Sequence, residues 1–125
     1  MEKGVNVKRV LVVEDEEALL FGLKKLLKND KTDIDVARSL TEAVDFLTQN
    51  RYQAVITDLR LSGAEVIEGY EVVKKARELQ QGCKIIVITA YAENGSKYRA
   101  EEGLADYFLE KPVSPARIRE ILNTL

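Results

Sequence analysis

The chain predicts an α/β domain: five strands in a doubly wound parallel sheet, each followed by a helix in (βα)5 order. Three observations carry that expectation. Short runs rich in Val and Ile recur along the chain, each followed by a stretch whose apolar residues repeat every three or four positions. The first, third and fourth runs are apolar nearly throughout, as expected of strands covered on both faces. No linker, low-complexity segment or internal repeat interrupts the pattern, and 125 residues is a single-domain length.

The first strand is read at Arg9–Val13, where Val10-Leu11-Val12-Val13 ends abruptly in Glu14-Asp15-Glu16-Glu17. Acidic residues at a helix start complement its positive end, which accounts for Glu16 and Glu17. Glu14 and Asp15 fall where the strand has barely ended and need another reason. The next helix sets Ala18, Leu19, Leu20, Leu23, Leu26 and Leu27 on an inner face, with Lys24, Lys25 and Lys28 opposite. The second strand, Asp33–Ala37, is mixed, as edge strands tend to be. Ser39-Leu40-Thr41-Glu42 is a capping box opening a helix over Leu40–Gln49, with Leu40, Ala43, Val44 and Leu47 on one face.

The third strand, Ala54–Asp58, leads through about ten residues, Leu59–Gly69, to a helix over Tyr70–Gln80. That connection is longer than the usual βα loop, which fits either a functional loop or an ordinary insertion. The helix turns Val72, Val73, Ala76 and Leu79 inward. The fourth strand is Lys84–Thr89. The stretch Asn94–Glu102 is the weakest helix: it carries Gly95, is bounded by Gly103 and has few apolar anchors beyond Tyr98, so it is expected to be loosely held. The fifth strand, Asp106–Leu109, is again mixed. Ser114-Pro115 then supplies an N-cap and a first-turn proline for the last helix, which presents Ile118, Ile121 and Leu122.

Composition narrows the chemistry. A formal net charge of −2 gives no reason to expect nucleic-acid binding, and the apolar runs are too short to span a membrane. The N-terminus has no signal region, and the single Cys83, beside an apolar run, is read as an inert thiol in a reducing cytoplasm. With no histidine, Ser-His-Asp and Cys-His mechanisms are excluded within the chain. No Gly-rich phosphate loop is present.

Ligands in open α/β sheets bind beyond the carboxyl ends of the strands, where strand order reverses. Glu14 and Asp15 end the first strand, Asp58 the third and Thr89 the fourth, while Lys111 follows the fifth. In the order 2-1-3-4-5 the first and third strands are neighbours, so three carboxylates are expected to converge. Two carboxylates about 4 Å apart repel by about 4 kcal/mol at an effective dielectric near 20. A hard cation relieves that, as does protonation of some of the acids; an all-oxygen donor set selects a hard ion, and Mg²⁺ typically takes one or two carboxylates. A cation beside a carboxylate, an ammonium and a hydroxyl is a set suited to phosphoryl transfer onto a carboxylate nucleophile.

Val10-Leu-Val-Val-Glu-Asp-Glu-Glu17, Val55-Ile-Thr-Asp58-Leu-Arg-Leu, Val87-Ile-Thr-Ala90 and Lys111-Pro112, in that order, resemble the receiver domain of two-component response regulators. The resemblance covers nearly the whole chain and implies a flavodoxin-like receiver fold, with residues 1–125 as one receiver domain and about 8–125 as its ordered core. It implies that Asp58 is the phosphoacceptor, Asp15 a direct Mg²⁺ ligand, Glu14 a ligand acting mostly through a metal-bound water, and Arg60 a backbone-carbonyl ligand. Thr89 takes the place of the switch hydroxyl, Lys111 of the phosphate-pairing lysine, and Phe108 of the switch aromatic. Lys111–Pro112 is expected to be cis. Ala90 would leave the phosphate accessible, with Arg60 and Tyr91 flanking it. Ser62 stands where the family often has proline, and Gly69 comes about three residues late for the family's loop glycine.

The function so implied is a phosphorylation-activated signalling switch in the cytoplasm, self-catalysing its phosphoryl transfer and dephosphorylation rather than acting as a metabolic enzyme. Its phosphodonor would be a histidine kinase or phosphotransfer protein. An output domain or protein would read the Asn94–Glu102 helix, the fifth strand and the last helix. Two alternatives stand beside it. One is a pseudo-receiver, an interaction module not regulated by phosphorylation. The other is a phosphatase of the haloacid-dehalogenase type, which wants an acid two residues after the nucleophile, where Arg60 stands.

Overall fold

A computed structural model describes residues 7–58, 67–89 and 105–125, and the side chains at 67, 68 and 89 are not described. Their elements run β1 (Lys8–Val13), α1 (Glu17–Leu27), β2 (Thr32–Ala37), α2 (Leu40–Gln49), β3 (Ala54–Asp58), α3 (Ile67–Leu79), β4 (Lys84–Thr89), β5 (Tyr107–Glu110) and α4 (Pro115–Leu122). The sheet is five-stranded in the order β2-β1-β3-β4-β5, every pairing parallel. The two mixed strands are the two edges, as expected, and the three apolar ones lie inside.

Alternation along β1 distributes its side chains between two cores. Leu11 and Val13 join Val55, Ile85 and Val87 under α2 and α3, whereas Val10 and Val12 join Ile56, Ile86 and Ile88 under α1 and α4. Covering both faces this way is what keeps parallel strands dry.

The helix ends follow the local chemistry. Ser39 Oγ accepts the Glu42 N–H at 3.2 Å, and Glu42 Oε1 reaches back to the N–H of Arg38, one residue short of the cap itself. Ser114 Oγ takes the Ala116 N–H at 3.2 Å, with proline at the start of α4. Arg119 of α4 donates to the carbonyl of Leu26, tying the last helix to the first.

Several details depart from the sequence reading. α3 begins at Ile67, so Gly69 lies in its first turn and the connection after β3 is residues 59–66 rather than 59–69. Glycine costs a helix only about 1 kcal/mol relative to alanine. Burial of Val72, Val73 and Ala76 outweighs that. Leu26 and Leu79, expected inside, are 49% and 42% exposed. In α1 the buried line is Leu20, Leu23 and Leu27, and Leu26 sits about 100° round the helix from Leu27. In α3 the inner line continues from Ala76 to the buried Gln80 one turn later, leaving Leu79 to the side. Ala18 is likewise exposed. The expected helix Asn94–Glu102 lies outside the described residues.

Candidate functional site

β1 and β3 are neighbours, and each ends in an acid at the same edge of the sheet. Val13 lies opposite Thr57, so Glu14 and Asp58 follow at matching depth. Both are buried: Glu14 is 1% exposed and Asp58 6%. Burial of a charge without a partner is costly, and here the partner comes from the far end of the sheet. Lys111, one residue past β5, places its Nζ 2.8 Å from Asp58 Oδ2 and 3.1 Å from Glu14 Oε1. The Lys111–Pro112 bond is cis, as expected. A groove of about 330 Å³, lined by Glu16, Leu19, Lys111, Pro112 and Val113, opens beside this lysine.

Local bonds fix the two acids. Glu14 donates its N–H to the Ala37 carbonyl, and its second oxygen, Oε2, accepts the Glu16 N–H at 3.0 Å. Thr57, wholly buried, donates its hydroxyl to the Asp58 carbonyl at 2.9 Å. Thr57 and the Glu16 amide were not singled out from the sequence. Their roles depend on backbone atoms two residues away or fewer, which no residue-type pattern announces.

The electrostatics follow from this packing. Burial pushes the Glu14 carboxyl above its ordinary value, and the Asp58 charge adds to the rise; the Glu16 N–H and the Lys111 charge pull it partly back. For Lys111 burial alone would lower the ammonium, but the hydrogen bond and charge of Asp58, with those of Glu14, outweigh it and raise it above its ordinary value. Lys111 is therefore held as a cation between two carboxylates.

The expected convergence of three carboxylates is not what the chain forms. Among the described residues no three acidic, Cys or His side chains close on one point at metal-binding spacing. Asp15 is exposed, and the Lys111 ammonium sits between the other two acids. The physical reason is charge: a lysine in direct contact relieves the Glu14–Asp58 repulsion. The donor set still fits Mg²⁺. One ammonium does not balance Glu14, Asp15 and Asp58 together, the donors are all oxygen, and the excess charge lies at a solvent-reachable strand edge.

Thr89 is the last residue of β4 and pairs with Glu110, while Asp58 pairs with Ile88 beside it. That brings its backbone to the same edge; its side chain lies outside the described residues. Phe108 is half-buried against the core under α2 and α3. Arg60, Ser62, Ala90 and Tyr91 all lie outside the described residues. Cys83 is buried and burial lifts its thiol to about 11, in keeping with an inert role.

The family model for the response regulator receiver domain matches residues 10–123. The chain is 31% identical over 109 residues to the transcriptional regulatory protein SrrA of Staphylococcus aureus, covering 87% of this chain and 44% of that protein. It is 29% identical over 122 residues to hybrid signal transduction histidine kinase I of Dictyostelium discoideum, covering 93% of this chain and 7% of that protein. The chain thus spans less than half the length of these curated relatives. Among solved structures, a CheY-like receiver domain protein from Methanospirillum hungatei superposes with a TM-score of 0.83 at 27% identity, covering 94% of this chain and 92% of that one. A response regulator from Burkholderia pseudomallei, described with a phosphorylated aspartic acid, a calcium ion and citrate, superposes at 0.78 with 25% identity, covering 89% of this chain and 64% of that one. Receiver domains are phosphoacceptor modules of two-component signalling that bind Mg²⁺ at an aspartate site. By fold, strand-end acids and family match alike, this chain belongs to the response regulator receiver domain family.

Proposed function

We propose that this receiver is a phosphorylation-activated switch with Asp58 as its phosphoacceptor. The observation that carries the reading is the Lys111 ammonium 2.8 Å from Asp58 Oδ2, at the carboxyl edge of the sheet. A buried carboxylate beside a fixed cation, with that cation lining a solvent groove, is poised to receive an anionic electrophile.

In the step itself an Asp58 carboxylate oxygen attacks phosphorus, and the bond from phosphorus to the donor's imidazole nitrogen breaks. The donor leaves with the electron pair and takes a proton from solvent. Asp15, Asp58 and the Arg60 backbone carbonyl would hold Mg²⁺, which supplies positive charge to the phosphoryl oxygens. Lys111 meets a second oxygen and the Thr89 hydroxyl a third, each stabilising charge where it develops. Lys111 must shift its contact from the Asp58 carboxylate to the phosphoryl group, a short movement for a flexible side chain.

The phosphoryl group then draws Thr89 toward it, and Phe108 turns into the space released. The surface made by residues 94–102, β5 and α4 changes with it, and an output domain or protein binds the state it prefers. The donor is a histidine kinase or phosphotransfer protein, and the setting is the cytoplasm. Among the described residues no helix is long and apolar enough to cross a membrane.

Intact mass after incubation with acetyl phosphate tests this, with and without Mg²⁺ and with Asp58→Ala. The expected result is a Mg²⁺-dependent gain of about 80 Da, one phosphoryl group, absent from the variant. If neither that gain nor a Mg²⁺-dependent beryllofluoride complex forms, the pseudo-receiver reading replaces this one.

A further inference from the structure

We infer that a second site, at the end of the sheet opposite Asp58, binds a small hydroxylated monocarboxylate; the inference is independent of the phosphoryl chemistry proposed above. A cleft of about 370 Å³ opens between the starts of β1 and β2 and the ends of α1 and α4. Lys8, Asn29, Asp30, Lys31, Thr32 and Asn123 line it, all of them polar. β1 climbs from Lys8 to Val13 at about 3.3 Å per residue, so roughly 17 Å of strand separates the cleft from the acids at the other edge.

Thr32 carries the inference. It is only 7% exposed, pairs with Lys8, and lies two residues before Ile34, which puts its side chain on the sheet face covered by α1 and α4. Its backbone N–H and carbonyl both bond to Asn29 at 3.2 Å and close the turn. Its hydroxyl has no hydrogen-bond partner among the described residues. A buried hydroxyl left unmatched is costly, and this one borders the cleft, where a ligand oxygen answers it.

The charges around it select the ligand. Lys8 Nζ donates one N–H to the Leu122 carbonyl at 2.8 Å and keeps two. Lys31 is exposed, and its ammonium is unpaired among the described residues. The carbonyl ends of α1 and α4 point toward this edge and would repel an anion. They are already answered: Leu26 takes Arg119, Ile121 takes the Thr124 hydroxyl, and Leu122 takes the Leu125 N–H beside Lys8. Two ammoniums against the Asp30 carboxylate leave one net positive charge, which suits a singly charged carboxylate better than a dianionic phosphate. Asn29, Asp30 and Asn123 complete the wall, and an apolar tail would strip them of water without replacing its hydrogen bonds. A body bearing hydroxyls keeps those bonds.

Nitrogen-15 NMR titration of the unphosphorylated chain with sodium gluconate, a polyhydroxylated monocarboxylate, tests the site. Sodium chloride at matched ionic strength is the control, and Mg²⁺ is left out, so a failure of the phosphoryl chemistry does not touch the result. Saturable shifts are expected at Lys8, residues 29–32 and Asn123, with none from glucose and weaker ones from inorganic phosphate. Thr32→Val, close in shape, is expected to weaken gluconate by about three- to ten-fold. It should also raise the urea midpoint of the free chain, because the unmatched hydroxyl is gone. Lys31→Met, whose side chain ties no other described element, is expected to weaken gluconate at least about three-fold. Shifts no different from those of chloride overturn the inference, as do shifts undiminished in both variants. Phosphate bound more tightly than gluconate overturns the choice of a monocarboxylate.

Discussion

Asp106 receives Arg77 at 2.6 Å and the Ile85 N–H at 2.8 Å on one and the same oxygen, Oδ2. Arg77 meanwhile donates to the Cys83 carbonyl, and the Asp106 N–H to the Ile85 carbonyl. One ion pair thus pins the end of α3 to the entry of both β4 and β5. Since β5 is a short edge strand leading straight to Lys111, its register governs where the ammonium stands.

Asp106→Ala is expected to lower stability by about 1–2 kcal/mol, a modest figure because the pair is partly exposed and one backbone N–H loses its acceptor. Urea denaturation reads that loss. Phosphorylation of Asp58 by acetyl phosphate should slow in the same variant, because β5 no longer has its register pinned. Unchanged stability together with unchanged phosphorylation would show that the remaining β4–β5 bonds hold the strand without it.

Gln80 is the second buried tie. Its Nε2 donates to the carbonyls of Leu47 and Asn50 at 2.8 and 2.6 Å, and its Oε1 accepts the Tyr52 N–H at 2.9 Å. The side chain closes the end of α2 against the approach to β3. Gln80→Leu, similar in size, leaves those backbone groups unpaired and is expected to cost about 1–3 kcal/mol in a urea titration. A loss under half that would mean water replaces the amide.

Lys111→Met removes the ammonium that contacts both buried acids, Glu14 and Asp58. Phosphorylation from acetyl phosphate should fall at least about ten-fold, as when a preorganised charge is lost from a transfer site. The rate is read by intact mass over time. A variant phosphorylated as fast as wild type would remove Lys111 from the transfer step.

Alkaline pH should loosen the fold through Cys83 and Tyr52. Burial lifts the Cys83 thiol from 9.0 to about 11. The Tyr52 phenol, buried and donating to Asp35 at 2.6 Å, is likewise raised. Both groups stay protonated longer when folded, so the unfolded chain ionises first and stability falls as pH rises from about 9 toward 11. Urea midpoints across that window should decline, and Cys83→Ala should flatten the slope between pH 9 and 11. An identical slope in the variant would leave Tyr52 and Lys111, both raised, as its source.

Much of the fold was legible because the strands that form its interior are apolar on both faces. Ala54–Asp58, Lys84–Thr89 and Leu40–Gln49 have the bounds their residue types predict. Helix starts and exposed flanks were less legible. Whether Leu26 faces in or out depends on how far round α1 the core reaches, its buried line there being Leu20, Leu23 and Leu27, and α3 extends through Gly69 because its later turns are well packed. In the site, the acids at strand ends were readable from order alone. The pairing of Lys111 with Glu14 was not, since 97 residues separate them and only folding sets the distance. Arg77, Asp106 and Gln80 gave no signal because they act through backbone atoms of other elements.

The sheet is also a partition. Leu11, Val13, Val55 and Val87 belong to one side of it, with Phe108 packed against them, and Val10, Val12, Ile56 and Ile88 to the other, with Tyr107 and Leu109. A movement of the aromatic ring at 108 is therefore felt first in the half built from α2 and α3. The half built from α1 and α4 shares no side-chain layer with it and receives the news only through the backbone of β5. Under the proposed switch, the face of α2 and α3 would respond to the ring itself and the face of α1 and α4 only after the edge strand has moved.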